Sequence, residues 1–174
     1  AALAVAAFAA GSASAQQGPI KVGIILPYSG QFADAATQMD NAIKLFVKQN
    51  GDTVAGRKIE FIRKDVGGIA PDVAKRLAQE LVVRDGVDML AGFVLTPNAM
   101  AAGEVSDQAK KFMVVMNAAT SIITTKSPYM ARVSLTTPQL NQALGDWAAK
   151  KGGVKKAYTM VSDYGPGLDA GSAF

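Results

Sequence analysis

The chain contains no cysteine and no histidine, and both absences narrow the chemistry open to it. Without thiolates or imidazoles, most metal sites and most nucleophile–base pairs of covalent catalysis are ruled out. No disulfide can form, which fits an exported protein held together by its core but does not by itself establish export. Aromatic residues are sparse, with a single tryptophan, Trp147. None is interleaved with the one basic cluster, Lys150, Lys151, Lys155 and Lys156, so a nucleic-acid groove would have no stacking platforms. Those lysines read instead as a solvated helix end that complements the helix dipole. The net charge is only +4, from 18 basic and 14 acidic residues mixed along the chain. Asp34, Asp40 and Asp65 are scattered without the spacing of a carboxylate pair, and no Gly-x-Ser-x-Gly occurs. No enzymatic mechanism, metal, cofactor or nucleic-acid partner is expected.

Residues 1–15, AALAVAAFAAGSASA, are uncharged, apolar from Ala2 to Ala10, and end in Ala13-Ser14-Ala15 before Gln16. That is the apolar region and cleavage site of a secretory signal. The stretch is shorter than the ~18 residues of a membrane span. With no initiator methionine or basic flank, it is read as a partial signal peptide, and the periplasm is the expected location. About 159 residues remain, enough for one domain with a substantial core.

The remainder alternates between two periods. Ile20 to Leu26 is a nearly continuous apolar run, as in a strand buried on both faces. Met39, Ile43, Phe46 and Val47 then mark a helical stripe that Gly51-Asp52 stops. Lys58 to Arg63 is a second strand, and Pro71 opens a helix carrying Val73, Leu77 and Leu81. Val87 to Gly92 is a third strand. Thr96-Pro97 reads as an N-cap followed by proline in the first turn. That helix leads to a fourth strand, Phe112 to Met116, which breaks into Asn117, Ala118, Ala119, Thr120 and Ser121. Further on, Thr136-Thr137-Pro138 starts a helix with Leu140, Leu144 and Trp147 on its inner face. Lys156 to Ser162 is a further expected strand, and a helix should be under way at the chain's end.

A β-α unit repeated four times predicts an α/β fold with a parallel, doubly wound sheet. Ligands of such sheets bind outside the carboxyl ends of the strands. Three carboxyl ends here run into short polar loops, at Tyr28-Ser29-Gly30, Thr96-Pro97 and Asn117 to Ser121. Gly165 to Ala170 also matches Gly-x-Gly-x-x-Ala, but two residues separate it from the preceding strand and no confirming acidic residue follows ~20 positions on. An NAD-type oxidoreductase is therefore the weaker reading.

The ordered set KVGIILPYSG, KIEFI, DGVDMLAG, MNAAT, RVSLTTP and VSDYGPG resembles periplasmic solute-binding proteins of the leucine/isoleucine/valine-binding type. The resemblance implies the type I periplasmic-binding-protein fold, with residues 16–135 as an N-terminal α/β lobe and 136–174 as the start of a second. It implies a small carboxylate-bearing ligand (amino acid or carboxylic acid), a branched-chain or related amino acid in the leading reading, captured between two lobes for the membrane permease of an ATP-driven importer. Carried over residue by residue, it points to Thr96, Ala118 through its main chain, Thr120, and Tyr164 from the second lobe. Tyr28 and Ser29 occupy the family's first binding loop, with Phe32 as a wall. Members that take branched-chain amino acids often carry Tyr-Gly where this chain has Ala35-Ala36, so aromatic or other carboxylic acids and amides stay open as ligands. A ligand-sensing receptor ectodomain is the alternative of another class.

Overall fold

The computed structural model describes residues 18–174. The expected signal peptide over residues 1–15 lies outside the described residues. Strand β1 (Ile20–Leu26) leads through a 3-10 turn at Gly30–Phe32 into helix α1 (Ala33–Asn50). A short strand β2 (Thr53–Val54) reverses through Ala55-Gly56, both at positive φ as a two-residue hairpin requires, into β3 (Arg57–Asp65). Helix α2 (Pro71–Gln79) starts on proline and widens into a π-turn over Glu80–Arg84. Next come β4 (Met89–Gly92), α3 (Thr96–Ala109), β5 (Phe112–Val115), a 3-10 turn at Ser121–Thr125 and β6 (Met130–Arg132). Helices α4 (Thr137–Lys150) and α5 (Gly165–Ala173) follow.

One sheet runs in the order β2-β3-β1-β4-β5-β6, and every pairing except β2–β3 is parallel. The order reverses at β1, with β3 on one side and β4, β5 and β6 on the other. Such a reversal opens a crevice at the carboxyl ends, here between β1 and β4. The sheet is covered on both faces, as the nearly continuous apolar run of β1 requires. Ile25 points into the layer of α2 and α3, with Leu77, Leu81, Leu90, Phe93 and Met113. Its neighbours Ile24 and Leu26 point into the α1 layer, with Ala36, Ala91 and Leu95. Ala74, Ala78, Ala99 and Ala102 are wholly buried, and these small side chains let α2 and α3 lie close together.

Three expectations about packing are corrected. Phe46 of α1 is largely exposed, so the buried side of that helix is the narrower stripe of Ala36, Met39 and Ile43. Leu140, Leu144 and Trp147 of α4 are each more than half exposed, because no described element covers that side of the helix. Residues 156–162 form no strand: Tyr158 and Met160 are 97% and 99% exposed, and no neighbouring strand supplies ladder hydrogen bonds. Thr136 does cap α4, in a reciprocal box with Gln139.

Candidate functional site

The carboxyl edge is shaped by a kink at the end of β4. Gly92 has φ 117°, and a β-carbon there would run into the carbonyl oxygen of Ile25. Phe93 follows at φ 68°, a left-handed conformation that costs an L-residue roughly 1–2 kcal/mol. Two hydrogen bonds and full burial of the ring offset that cost. Its N–H donates to Ile25 O at 2.9 Å, and its carbonyl accepts the Ala118 N–H at 3.0 Å. The kink therefore carries main-chain bonding past the strand ends and sets the β5 loop against the start of α3.

Thr96 and Thr120 meet there. Their hydroxyl oxygens are 2.7 Å apart, and the residues are 7% and 3% exposed. The N-cap reading of Thr96 is corrected, because a capping residue precedes the first turn and that place belongs to Leu95, while Thr96 begins the helix. Of two paired hydroxyls, one donates to the other, which leaves one proton and several lone pairs for a ligand. The positive end of the α3 dipole lies at the same point. Ala118 is buried beside them with its N–H already committed to Phe93, so its carbonyl is the main-chain group left for a ligand.

Asn98 locks this end of α3 in place. Its Oδ1 accepts the Ala70 N–H at 3.0 Å and its Nδ2 donates to Gly68 O at 2.7 Å, from a side chain almost without exposure. Helix α5 also comes to the site. A β-carbon on Gly165 would stand 3.3 Å from the Thr120 side chain, which brings Tyr164, the residue preceding α5, beside Thr120. Asp169 of α5 accepts the Ser121 N–H at 2.7 Å, and Arg132 donates to the Thr120 carbonyl at 2.7 Å.

The β1 loop forms the neighbouring wall. Asp65 accepts from the N–H groups of Ser29 and Gly67 at 3.3 and 2.8 Å. Burial pushes the Asp65 carboxyl up, but these hydrogen bonds outweigh it and hold the group below the usual carboxylate range. Gly30, at φ 76°, approaches so closely that a β-carbon would lie 2.6 Å from Gly67 O. The Tyr28 hydroxyl is buried without a hydrogen bond beside Asp40 and Arg63, and its pKa is pushed up to about 12, first by burial and then by Asp40. Asp40 itself is paired with Arg63 at 2.6 Å and Lys44 at 2.8 Å.

The structure thus brings Thr96, Ala118 and Thr120 together, and Tyr164 directly precedes the Gly165 that lies against Thr120. It places Ser29 on the adjoining loop and packs Tyr28 and Phe32 into the α1 layer. Asn98, Arg132 and Asp169 were not among the sequence candidates. Only Asn98 carried a local signal, as a polar residue directly after Thr96-Pro97 at a strand end.

A profile of the periplasmic binding protein family matches residues 19–174. The chain belongs to that family. Among curated relatives, the Leu/Ile/Val-binding protein homolog 6 of Brucella abortus is 45% identical over 171 residues, which is 98% of this chain and 44% of the relative. A solute-binding protein of an ABC transporter from Rhodopseudomonas palustris BisB5, solved with 3,4-dihydroxybenzoic acid, is 53% identical with a TM-score of 0.86. The match covers 89% of this chain and 42% of that one. A second solute-binding protein from R. palustris, solved with 4-hydroxybenzoate, is 45% identical with a TM-score of 0.85, over 90% and 42% of the two chains. The chain thus spans less than half the length of the relatives it matches. In this periplasmic binding protein, the Gly165–Ala170 run opens α5 without a strand before it, so the context a dinucleotide fingerprint needs is missing.

Proposed function

We propose that the protein is the periplasmic solute-binding component of an ATP-driven importer, capturing a small carboxylic acid for a membrane permease rather than catalysing a reaction. Residues 16–135 form the first lobe, residues 136–174 begin the second, and the ligand is held between them. The observation that carries this reading is the buried Thr96–Thr120 hydroxyl pair at the start of α3. It offers a hydrogen-bond donor to a carboxylate where the helix dipole favours negative charge.

Magnitudes explain why two lobes are needed. One hydroxyl bond to a charged acceptor, about 2 kcal/mol, and a helix terminus of at most ~2 give about 4 kcal/mol. Micromolar capture needs about 8 kcal/mol. Burial against a second lobe, with Tyr164 beside Thr120, supplies the difference.

An aromatic acid is the favoured ligand, because the similar R. palustris proteins were solved with hydroxybenzoates. A branched-chain amino acid is the second reading, favoured by the name of the Brucella relatives. A thermal-shift panel on the full-length protein separates them. Hydroxybenzoates at 100 times Kd should stabilise by about 2.7 kcal/mol, read as a clear rise in Tm. A response to leucine alone would replace the first reading by the second. No response to any acid would sink both.

A further inference from the structure

A single peptide group at the site is gripped at both ends by side chains of opposite charge. Arg132, the last residue of β6, donates from Nη1 to the Thr120 carbonyl at 2.7 Å. Asp169 of α5 accepts the Ser121 N–H through Oδ2, also at 2.7 Å. That carbonyl and that N–H belong to the same peptide unit, so its dipole lies between a guanidinium and a carboxylate. Both contacts have the length of charge-assisted hydrogen bonds. Neither side chain forms an ion pair elsewhere among the described residues.

The orientation of this peptide sets ψ of Thr120, observed at 136°. Fixing it therefore holds the Thr120 side chain where its hydroxyl reaches Thr96. The two jaws come from different parts of the fold. Arg132 is fixed in the sheet, whereas Asp169 arrives only with α5, whose first residue, Gly165, lies against the Thr120 side chain. The carbonyl half can thus form with α5 lifted, and the N–H half only with α5 seated.

We propose that Arg132 and Asp169 are positioning residues for the ligand, a clamp on the Thr120–Ser121 peptide that closes when α5 seats and retards ligand release. This rests on the two-lobe carboxylate-binding reading above. Arg132 keeps Thr120 oriented in the open protein. Asp169 completes the grip on closure and acts on the dissociation rate.

The test uses the full-length protein with 4-hydroxybenzoate, or with leucine if that is the acid the wild type binds. Dissociation is followed by stopped flow and the Ser121 amide by hydrogen exchange. In the wild type, saturating ligand should slow Ser121 exchange at least ten-fold. D169A should abolish that gain and raise the dissociation rate about ten-fold, with the association rate changed less than two-fold and the Tm of the ligand-free protein unchanged. D169N, which keeps an acceptor without the charge, should fall between. R132M should weaken binding, R132K should restore part of it, and the R132M/D169A double variant should lose less than the product of the single losses. A Ser121 amide equally protected with and without ligand, or a D169A dissociation rate equal to wild type, overturns the clamp while leaving the carboxylate reading intact. A wild-type protein that binds no acid overturns that reading and the clamp together.

Discussion

Replacing Thr120 or Thr96 by valine removes a hydroxyl and keeps the side chain's shape, which makes the buried pair a direct probe of how the site is built. Each hydroxyl is the other's partner at 2.7 Å. A single substitution leaves the surviving hydroxyl buried and unsatisfied, at a cost of about 1–3 kcal/mol. Removing both hydroxyls leaves no orphan, and such double replacements are close to neutral. Thr96→Val and Thr120→Val should therefore each lower stability by about 1.5 kcal/mol, and the double variant by less than either alone. The coupling term should be about −2 kcal/mol, well above the few tenths at which distant sites add. Binding should follow the opposite pattern, because a hydroxyl donor for the ligand is lost completely only when both threonines are replaced. All three variants should lose affinity, and the double variant most. Urea denaturation gives the first series and calorimetry with the bound acid gives the second. Stability losses that simply add would show that the hydroxyls are not each other's partners.

Other outcomes follow from named contacts. Burial pushes the Asp40 carboxyl up, but its bonds to Lys44 and Arg63 outweigh that and hold the group below the usual range. A depressed carboxylate stabilises the fold above its unfolded pKa of about 3.9 and loses that contribution as the pH falls. The denaturation midpoints of wild type and Asp40→Asn should therefore differ most at neutral pH and converge below about pH 4; a gap that widens on acidification would contradict the pairing. Asn98→Ala should cost about 2–3 kcal/mol by urea denaturation, since it orphans the Ala70 N–H and Gly68 carbonyl; a loss under 0.5 kcal/mol would mean that loop is not held from α3. Gly165→Ala places a methyl 3.3 Å from a Thr120 side chain that cannot turn without breaking its bond to Thr96. Calorimetry should show several-fold weaker binding with helix content unchanged, and unaltered affinity would count against α5 seating on Thr120.

What was legible in the sequence was what local periodicity encodes. The apolar run of β1 announced a strand covered on both faces, and Pro71 and Thr136 marked helix starts where they are found. The alternation of four such units was enough to expect a parallel sheet whose carboxyl ends run into short polar loops. Partners distant in sequence were not legible. Thr96 carries every mark of a cap, and only the fold shows that its hydroxyl is taken by a residue 24 positions away. Arg132 and Asp169 lie 12 and 48 positions from the groups they bind, with no spacing rule to connect them. Strand β2, two residues long, is too short to show a period. Residues 156–162 have a strand's composition, but a strand also needs a neighbour, and Tyr158 and Met160 stand in solvent without one.

In the proposed complex, the Thr96–Thr120 pair at the head of α3 receives a carboxylate. Calorimetric titration of the full-length protein with 4-hydroxybenzoate and 4-hydroxybenzamide, for the wild type and for Thr96→Val/Thr120→Val, tests it most directly. The wild type should bind the acid with micromolar affinity and the amide at least ten-fold more weakly, and the double variant should lose the acid. Undiminished binding of the acid by the double variant would contradict that role of the pair.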